Sequence, residues 1–247
     1  MSFLFALLAI HPHVQNRTLN VFAAASLKEA FSSIARRFEA TRPGLAVRLN
    51  FAGSQTLAAQ INQGAPADVF ASAAAKNLQD VRYDVSTYRV FAFNRLEIAL
   101  RPGYRAVRTV ADLPRARNLV IADPAVPVGK YTEAFLSKGA LVFGAPWLRS
   151  VRAHVVSKEA DVKAVLAKVR LGEGDAGIVY VSDVVSAGGK VGEVAIPDSL
   201  NQVAEYPAAV PLSAANRADG VQFIRFLVQP EAQRILVQNG FGVGRRK

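Results

Sequence analysis

Several kinds of residue are absent or scarce in this chain, and each absence argues against a class of function. The 247 residues include no cysteine, so we expect no disulfide framework, no zinc–thiolate site and no cysteine-linked lipid anchor. Histidine occurs only as His11, His13 and His154, which leaves few candidates for a catalytic triad. No apolar run approaches the roughly 18 residues of a membrane-spanning helix. The longest covers residues 3–10.

Acidic residues are also few. The chain has 19 Asp and Glu against 30 Lys and Arg, a formal net charge of +11. Such a charge can favour nucleic acids through counterion release, but these basic residues are scattered and do not alternate with aromatic residues that could stack on bases. We therefore expect no nucleic-acid partner, and a basic surface that attracts small anions or simply maintains solubility.

The apolar run at 3–10 is similar to the core of a signal peptide, although it lacks preceding basic residues and a clean cleavage site. We predict that residues 1–18 are a remnant export signal. The alternative is a hydrophobic tail without a sorting role. Export would place a soluble protein without a lipid anchor in the periplasm or elsewhere outside the cytoplasm.

Short apolar strands alternate with amphipathic helices along the chain, which predicts an α/β fold with parallel strands. Two strand-like runs are separated by Asn94 and Arg95, which we interpret as a hinge between two lobes. The predicted strands are 19–23, 45–51, 69–71, 89–93, 96–100, 119–122, 151–156, 177–181, 191–196 and 206–211. The predicted helices are 27–40, 54–62, 131–138, 159–171, 218–228 and 231–239.

Small or uncharged residues occupy four predicted helix starts, at 23–26, 52–54, 127–129 and 161–162. A helix start presents unpaired N–H groups and the positive end of the helix dipole, so converging starts could bind a small oxyanion without lysine or arginine. Tyr180, at the end of an apolar strand, is a further candidate, with a buried core tyrosine as the alternative.

The other four candidate positions also have structural interpretations. Ser26 is followed three residues later by Glu29, which is a capping-box pattern, and Ser54 could cap its own helix. Val128 and Val162 have apolar side chains, so they can contribute only backbone N–H groups or be ordinary residues of a helix start.

An enzyme is a second class of function to consider. Ser54 would have to be the nucleophile, but the chain has no Gly-x-Ser-x-Gly elbow, and His154 is the only histidine beyond the N-terminal segment. His11 and His13 lie in the predicted leader. We therefore expect no catalysis and no metal ion coordinated directly by side chains.

Several segments together resemble one known family. They are 23–27, 51–57, 60–70, 123–131, 161–162, 177–183, 205–207, 230–233 and 240–241. In sequence and order they resemble the periplasmic molybdate-binding proteins of ABC importers, over nearly the whole chain from about Leu19. The most specific motif is Gly64-Ala65-Pro66-Ala67-Asp68 after a helix opened by serine, whereas 141–147 departs from the family as an altered connection.

The resemblance implies a fold and a ligand. The fold is the two-lobed class II periplasmic binding fold, in which each lobe is a mainly parallel α/β sheet flanked by helices and the ligand occupies the cleft between the lobes. Lobe 1 would comprise 19–95 and 203–247, and lobe 2 would comprise 96–202. The ligand would be molybdate or tungstate, with no cofactor, and the partner a membrane permease of an ABC importer, to which the protein would deliver its ligand as a monomer.

The family's ligand contacts fall on Ser26 and Ser54, on the backbone N–H groups of Val128 and Val162, and on the phenol of Tyr180. None of these positions is acidic. Molybdate and sulfate are fully deprotonated at neutral pH and only accept hydrogen bonds, whereas phosphate retains a proton and would favour a carboxylate acceptor. The donor set therefore argues against phosphate. It leaves sulfate, thiosulfate or another oxyanion as the alternative ligand.

Overall fold

The computed structural model describes residues 17–243, in which strands and helices alternate. The strands are β1 Arg17–Ala24, β2 Leu45–Ala52, β3 Val69–Ala71, β4 Arg89–Leu100, β5 Leu119–Ala122, β6 Val155–Glu159, β7 Ala176–Tyr180, β8 Gly192–Ala195 and β9 Val203–Ala209. The helices are α1 Lys28–Ala40, α2 Ser54–Asn62, α3 Ala75–Gln79, α4 Pro127–Phe143, α5 Ala145–Ala153, α6 Val162–Leu171, α7 Val181–Ser186, α8 Arg217–Leu227 and α9 Pro230–Gln238.

The predicted export remnant at 1–18 lies outside the described residues, except for its last two residues, which begin β1. His11 and His13 also lie outside them. None of the helices within 17–243 combines the length and the apolar character needed to cross a bilayer.

The strands of the described residues form one sheet in the order β2-β1-β3-β9-β4-β7-β5-β6, and β8 also pairs with β4. At one end β1 runs parallel to β2 and β3, and at the other end β5 runs parallel to β6 and β7. Antiparallel pairing through β9 and β4 joins the two groups. The predicted fold of two mainly parallel, helix-flanked lobes is confirmed. We call the part built on β1–β3 and β9 lobe 1, and the part built on β5–β8 lobe 2.

Strand β4 belongs to both lobes. Its residues 89–95 pair with β9, and its residues 96–100 pair with β7 and β8. The prediction of two separate strands was wrong: Asn94 is buried inside a continuous strand, where its amide donates to Ser182 Oγ at 2.8 Å. The predicted lobe boundary between residues 95 and 96 falls at this change of partner and stays a prediction.

The predicted strand at 151–156 was also wrong. Trp147 and Val151 lie one helical turn apart on the buried face of α5, and β6 begins only at Val155. Gly144 separates α4 from α5 with a φ of 89°, which glycine adopts without steric cost. The segment 141–147 is therefore a junction between two helices.

The return strand predicted at 206–211 is shifted, since β9 covers Val203–Ala209. Pro207 lies inside β9 at a register irregularity opposite Val90 and Ala92. A bulge accommodates proline because the residue has no N–H to donate to the ladder.

Packed aromatic side chains fix the helices of lobe 1 on its sheet. Phe31 and Phe38 of α1 contact Phe223 of α8, with ring centroids 5.9 and 5.0 Å apart. All three side chains are fully buried, and burial of each stabilises the fold by roughly 1.5–3 kcal/mol. This packing holds the start of α1 rigidly at the end of β1.

Candidate functional site

The candidate site lies between the lobes, where the parallel strands end. In lobe 1, β1 leads into a 3₁₀ turn containing Ser26, and β2 leads into α2, whose first residue is Ser54. In lobe 2, Val128 and Val162 lie in the first turns of α4 and α6, and Tyr180 ends β7. Carboxyl ends of parallel strands are the usual place for ligands in α/β sheets.

A small cavity, with about 20 Å³ of room for the centre of a water-sized sphere, separates the two sets of strand ends. A single water needs roughly 10–15 Å³ on this measure, so the cavity suits only a very small solute. All five residues predicted for the site line this cavity, and their binding role stays a prediction. The lining residues are Ala24, Ala25, Ser26, Gly53, Ser54, Ala73, Val126, Pro127, Val128, Asp161, Val162 and Tyr180.

The Ser54 hydroxyl is held in place by the backbone. It is 1% exposed, and its Oγ accepts a hydrogen bond from the N–H of Ala73 at 3.0 Å. The N-cap of α2 is Gly53 and not Ser54, so the capping alternative is wrong. Because a hydroxyl both accepts and donates, the Ser54 proton stays available for a ligand.

Ser26 is positioned by a second tyrosine that the sequence interpretation did not include in the site. Its Oγ lies 2.9 Å from the Oη of Tyr206, and both residues are buried. When the Tyr206 hydroxyl donates, the Ser26 hydroxyl is left to donate toward the cavity. The alternative capping box with Glu29 does not form, because the Glu29 carboxylate accepts instead from Lys163.

Tyr180 is buried, 1% exposed, and its Oη has no hydrogen-bond partner among the described residues. A buried hydroxyl left unpaired costs about 1–3 kcal/mol, a cost that an acceptor in the cavity would remove. Burial raises the pKa of Tyr180 well above its ordinary value. The phenol therefore stays neutral and can donate.

The two valines contribute through the main chain. Val128 is the second residue of α4 and Val162 is the first residue of α6. The first N–H groups of a helix have no partner inside the helix and carry the positive end of its dipole. Both side chains are nearly fully buried.

The wall of the cavity carries little charge. Among the residues that line it, Asp161 is the one charged side chain, and its Oδ1 accepts from the N–H of Ala164 at 3.0 Å as the N-cap of α6. Neutral donors avoid the cost of burying a cation. The wall therefore offers hydrogen-bond donors to an anion without a lysine or arginine.

The two lobes touch beside the cavity. Gln55 Nε2 of lobe 1 donates to the carbonyl of Ala160 in lobe 2 at 3.0 Å, and Tyr131 Oη of lobe 2 lies 3.5 Å from the carbonyl of Ala73 in lobe 1. Gly53 permits this approach, because a Cβ there would lie 2.7 Å from the Ala160 carbonyl oxygen. The cleft is closed in this structure.

A charged cluster next to the cavity was missed by the sequence interpretation. Lys163 contacts Glu29 and Asp183, at 2.7 and 3.1 Å. Burial raises the pKa of Asp183 to about 6, although Lys163 opposes that shift. The spacing of Ser26 and Glu29 suggested a local cap, and no pattern in the sequence indicated the distant lysine.

Comparison with known proteins defines the family. A family model described as "bacterial extracellular solute-binding protein" matches residues 19–242. The chain belongs to this family. Over 230 residues this solute-binding protein is 37% identical to the molybdate-binding protein ModA of Mycobacterium tuberculosis (strain H37Rv), which covers 91% of this chain and 84% of the relative.

Two solved structures share the fold of this solute-binding protein. The periplasmic molybdate-binding protein of Azotobacter vinelandii superposes with a TM-score of 0.79 at 22% identity, covering 92% of this chain and 100% of that one. The sulfate-binding protein SubI of Mycobacterium tuberculosis also has a TM-score of 0.79, at 19% identity, covering 91% and 86% of the two chains. The fold alone therefore does not distinguish the two anions.

Proposed function

We propose that this solute-binding protein captures molybdate or tungstate in the interlobe cavity and delivers it to the membrane permease of an ABC importer. One observation carries the proposal: neutral hydrogen-bond donors from both lobes converge on a small cavity whose lining contains no lysine or arginine. The 37% identity to a molybdate-binding protein supports the choice of anion.

We assign the binding role to Ser26, Ser54, Val128, Val162 and Tyr180. The hydroxyls of the two serines and of the tyrosine would donate, together with the backbone N–H groups of the two valines. Hydrogen bonds to a charged group each contribute about 1.5–3 kcal/mol, so five such donors can offset much of the dehydration of a dianion. On the cavity wall Asp161 Oδ1 caps α6, so this oxygen is already engaged and does not favour an anion that must itself donate, such as hydrogen phosphate.

Sulfate is the second candidate. Its support is the sulfate-binding neighbour with the same TM-score as the molybdate-binding one. Sulfate is also a tetrahedral dianion that only accepts, so the same donors suit it. The two ions differ mainly in size, so the distance at which the lobes close would determine which ion the cavity fits.

We also propose that the protein binds and releases its ligand without chemical turnover and that it does so outside the cytoplasm. A monomer would present both lobes to the permease. Membership of an extracellular solute-binding family supports the location and the partner. The cavity supports binding without catalysis, because no histidine lies on its wall to activate a nucleophile and the one carboxylate there, that of Asp161, caps α6.

Titration calorimetry with molybdate, tungstate, sulfate and phosphate tests the proposal. Each titration is repeated against sodium chloride of equal ionic strength, because a protein with a net charge of +11 attracts any anion weakly. We expect saturable binding of one molybdate or tungstate per chain and much weaker binding of sulfate and phosphate. Tighter binding of sulfate would favour the second candidate, and no saturable binding of any oxyanion would refute both.

A further inference from the structure

One lysine connects three elements that carry the proposed donors or directly follow them. Lys163 follows Val162 at the start of α6, and its Nζ lies 2.7 Å from Glu29 Oε2 on α1 and 3.1 Å from Asp183 Oδ1 on α7. It also donates to Ser186 Oγ at 3.0 Å. Glu29 belongs to lobe 1, whereas the other residues of this cluster belong to lobe 2.

The cluster is tied directly to the donors. Asp183 Oδ2 accepts a hydrogen bond from the backbone N–H of Tyr180 at 3.1 Å. Glu29 lies three residues after Ser26, in the first turn of α1. A shift of the lysine would therefore move the start of α6, the end of β7 and the turn before α1 relative to one another.

Partial burial strengthens the Coulomb attraction within this cluster relative to an ordinary surface ion pair. The side chain of Asp183 is 0% exposed, that of Lys163 is 20% exposed and that of Glu29 is 42% exposed. Exposed ion pairs contribute little, but a pair partly removed from water is stronger and is screened less by salt. The buried Asp183 holds the lysine on lobe 2, so Glu29 is the partner that separates when the cleft opens.

The position of this pair is distinctive. Within the part of the chain that the structure describes, the other ion pairs join residues of the same lobe, apart from Arg95 with Asp198 beside the β4 crossing. The Lys163–Glu29 pair thus spans the cleft itself. We propose that Lys163 and Glu29 are positioning residues that latch the two lobes over the bound anion and set the lifetime of the complex, an inference that rests on the proposed function.

The deciding variant is Glu29→Gln, which keeps the shape of the side chain and removes its charge. The matched control is Glu231→Gln, because Glu231 pairs with Arg37 of the same helix α1, is 41% exposed and lies within lobe 1. Molybdate affinity is measured by calorimetry, and the dissociation rate by stopped-flow displacement with tungstate. We expect a three- to tenfold larger Kd for Glu29→Gln, caused by faster dissociation, and a change within twofold for the control.

A second measurement reports closure without any ligand. The chain has no cysteine, so Lys76→Cys in lobe 1 and Lys130→Cys in lobe 2 provide two unique spin-label sites. Both residues are exposed, and both line a surface groove between α3 and α4. Adding Glu29→Gln to this pair should shift the interlobe distances of the ligand-free protein toward longer values.

Lys163→Arg, which keeps the charge, should restore most of the affinity that Lys163→Met loses.

The outcomes separate the two proposals. Unchanged dissociation and unchanged interlobe distances in Glu29→Gln would overturn the latch, even if molybdate binds normally. If the parent protein binds none of the oxyanions, the proposed function fails, and the distance measurement alone then decides whether the pair holds the lobes together. Lys163→Met leaves Asp183 buried without its cation and can impair folding, which is why Glu29→Gln decides.

Discussion

The hydroxyl oxygen of Ser54 accepts a hydrogen bond from the N–H of Ala73, and the carbonyl of the same Ala73 faces the Tyr131 hydroxyl of the opposite lobe. One peptide therefore links the proposed donor of lobe 1 to a contact across the cleft. Burial raises the pKa of Tyr131 to about 12, so this contact stays neutral in any physiological medium.

Replacement of Ser54 tests the first half of this relationship. Ser54→Ala removes a donor and leaves the N–H of Ala73 buried without an acceptor. We expect molybdate affinity to fall about tenfold or more, and the free energy of unfolding to fall by about 1–2 kcal/mol. Calorimetry and urea unfolding measure the two effects. Ser137→Ala, the same change at an exposed hydroxyl on α4, serves as the control, and equal affinity in both variants would remove Ser54 from the site.

Tyr180→Phe should weaken ligand binding without lowering the stability of the protein, unlike Ser54→Ala, which should lower both. The Tyr180 hydroxyl has no partner in the described residues, so its removal should leave the ligand-free protein equally stable or slightly more stable while weakening molybdate binding about tenfold or more. Tyr206→Phe is the contrasting variant, because that hydroxyl bonds to Ser26 and its loss should lower the stability of the ligand-free protein by about 1 kcal/mol. A marked loss of stability in Tyr180→Phe would contradict the assignment.

Gly53 should control closure. In Gly53→Ala the new Cβ would meet the Ala160 carbonyl oxygen at 2.7 Å, so the lobes would be held apart. We expect weaker binding of every oxyanion through faster dissociation, measured by stopped-flow displacement. Gly242→Ala is a suitable control, since its Cβ would make only ordinary contacts with Phe93 at 3.5 Å. Normal affinity in Gly53→Ala would show that the close approach of the lobes is not needed.

The buried carboxyl of Asp183 predicts a pH dependence of stability. Its pKa in the folded protein is raised to about 6 from an ordinary value of 3.8, so between these values the folded state binds more protons than the unfolded state. Stability therefore falls as pH rises from about 4 to 6, by up to roughly 1.4 kcal/mol per pH unit, and is constant above that range. Urea unfolding at pH 4 to 7 should show this slope in the parent protein relative to Asp183→Asn. A constant difference between the two proteins would contradict it.

The sequence predicts best where local pattern and tertiary structure agree. Helix α2 and strands β3 and β5 were predicted with correct bounds, because small or apolar runs there end at clear helix-start and turn residues. The five candidate site residues were found through helix starts and family resemblance, and the structure brings them to one cavity.

The errors arose where long-range contacts override local pattern. Asn94 was taken as a break, but its side chain is satisfied by Ser182 of the opposite lobe. The residues 151–153 were taken as part of a strand because valine favours strands, whereas their helix is fixed by packing of Trp147 on Gly139. Glu29 was assigned to a local cap, and its actual partner lies 134 residues away. None of these partners can be identified from neighbouring residues.

The continuity of β4 limits how this molecule can move. A single strand contributes ladder hydrogen bonds to both halves. The halves must therefore open by bending or twisting of this hydrogen-bonded strand and cannot rotate freely, as they could about a flexible linker. Such a strand restricts the open form to a narrow set of orientations, so little orientational entropy is lost when the halves meet again around a captured ion.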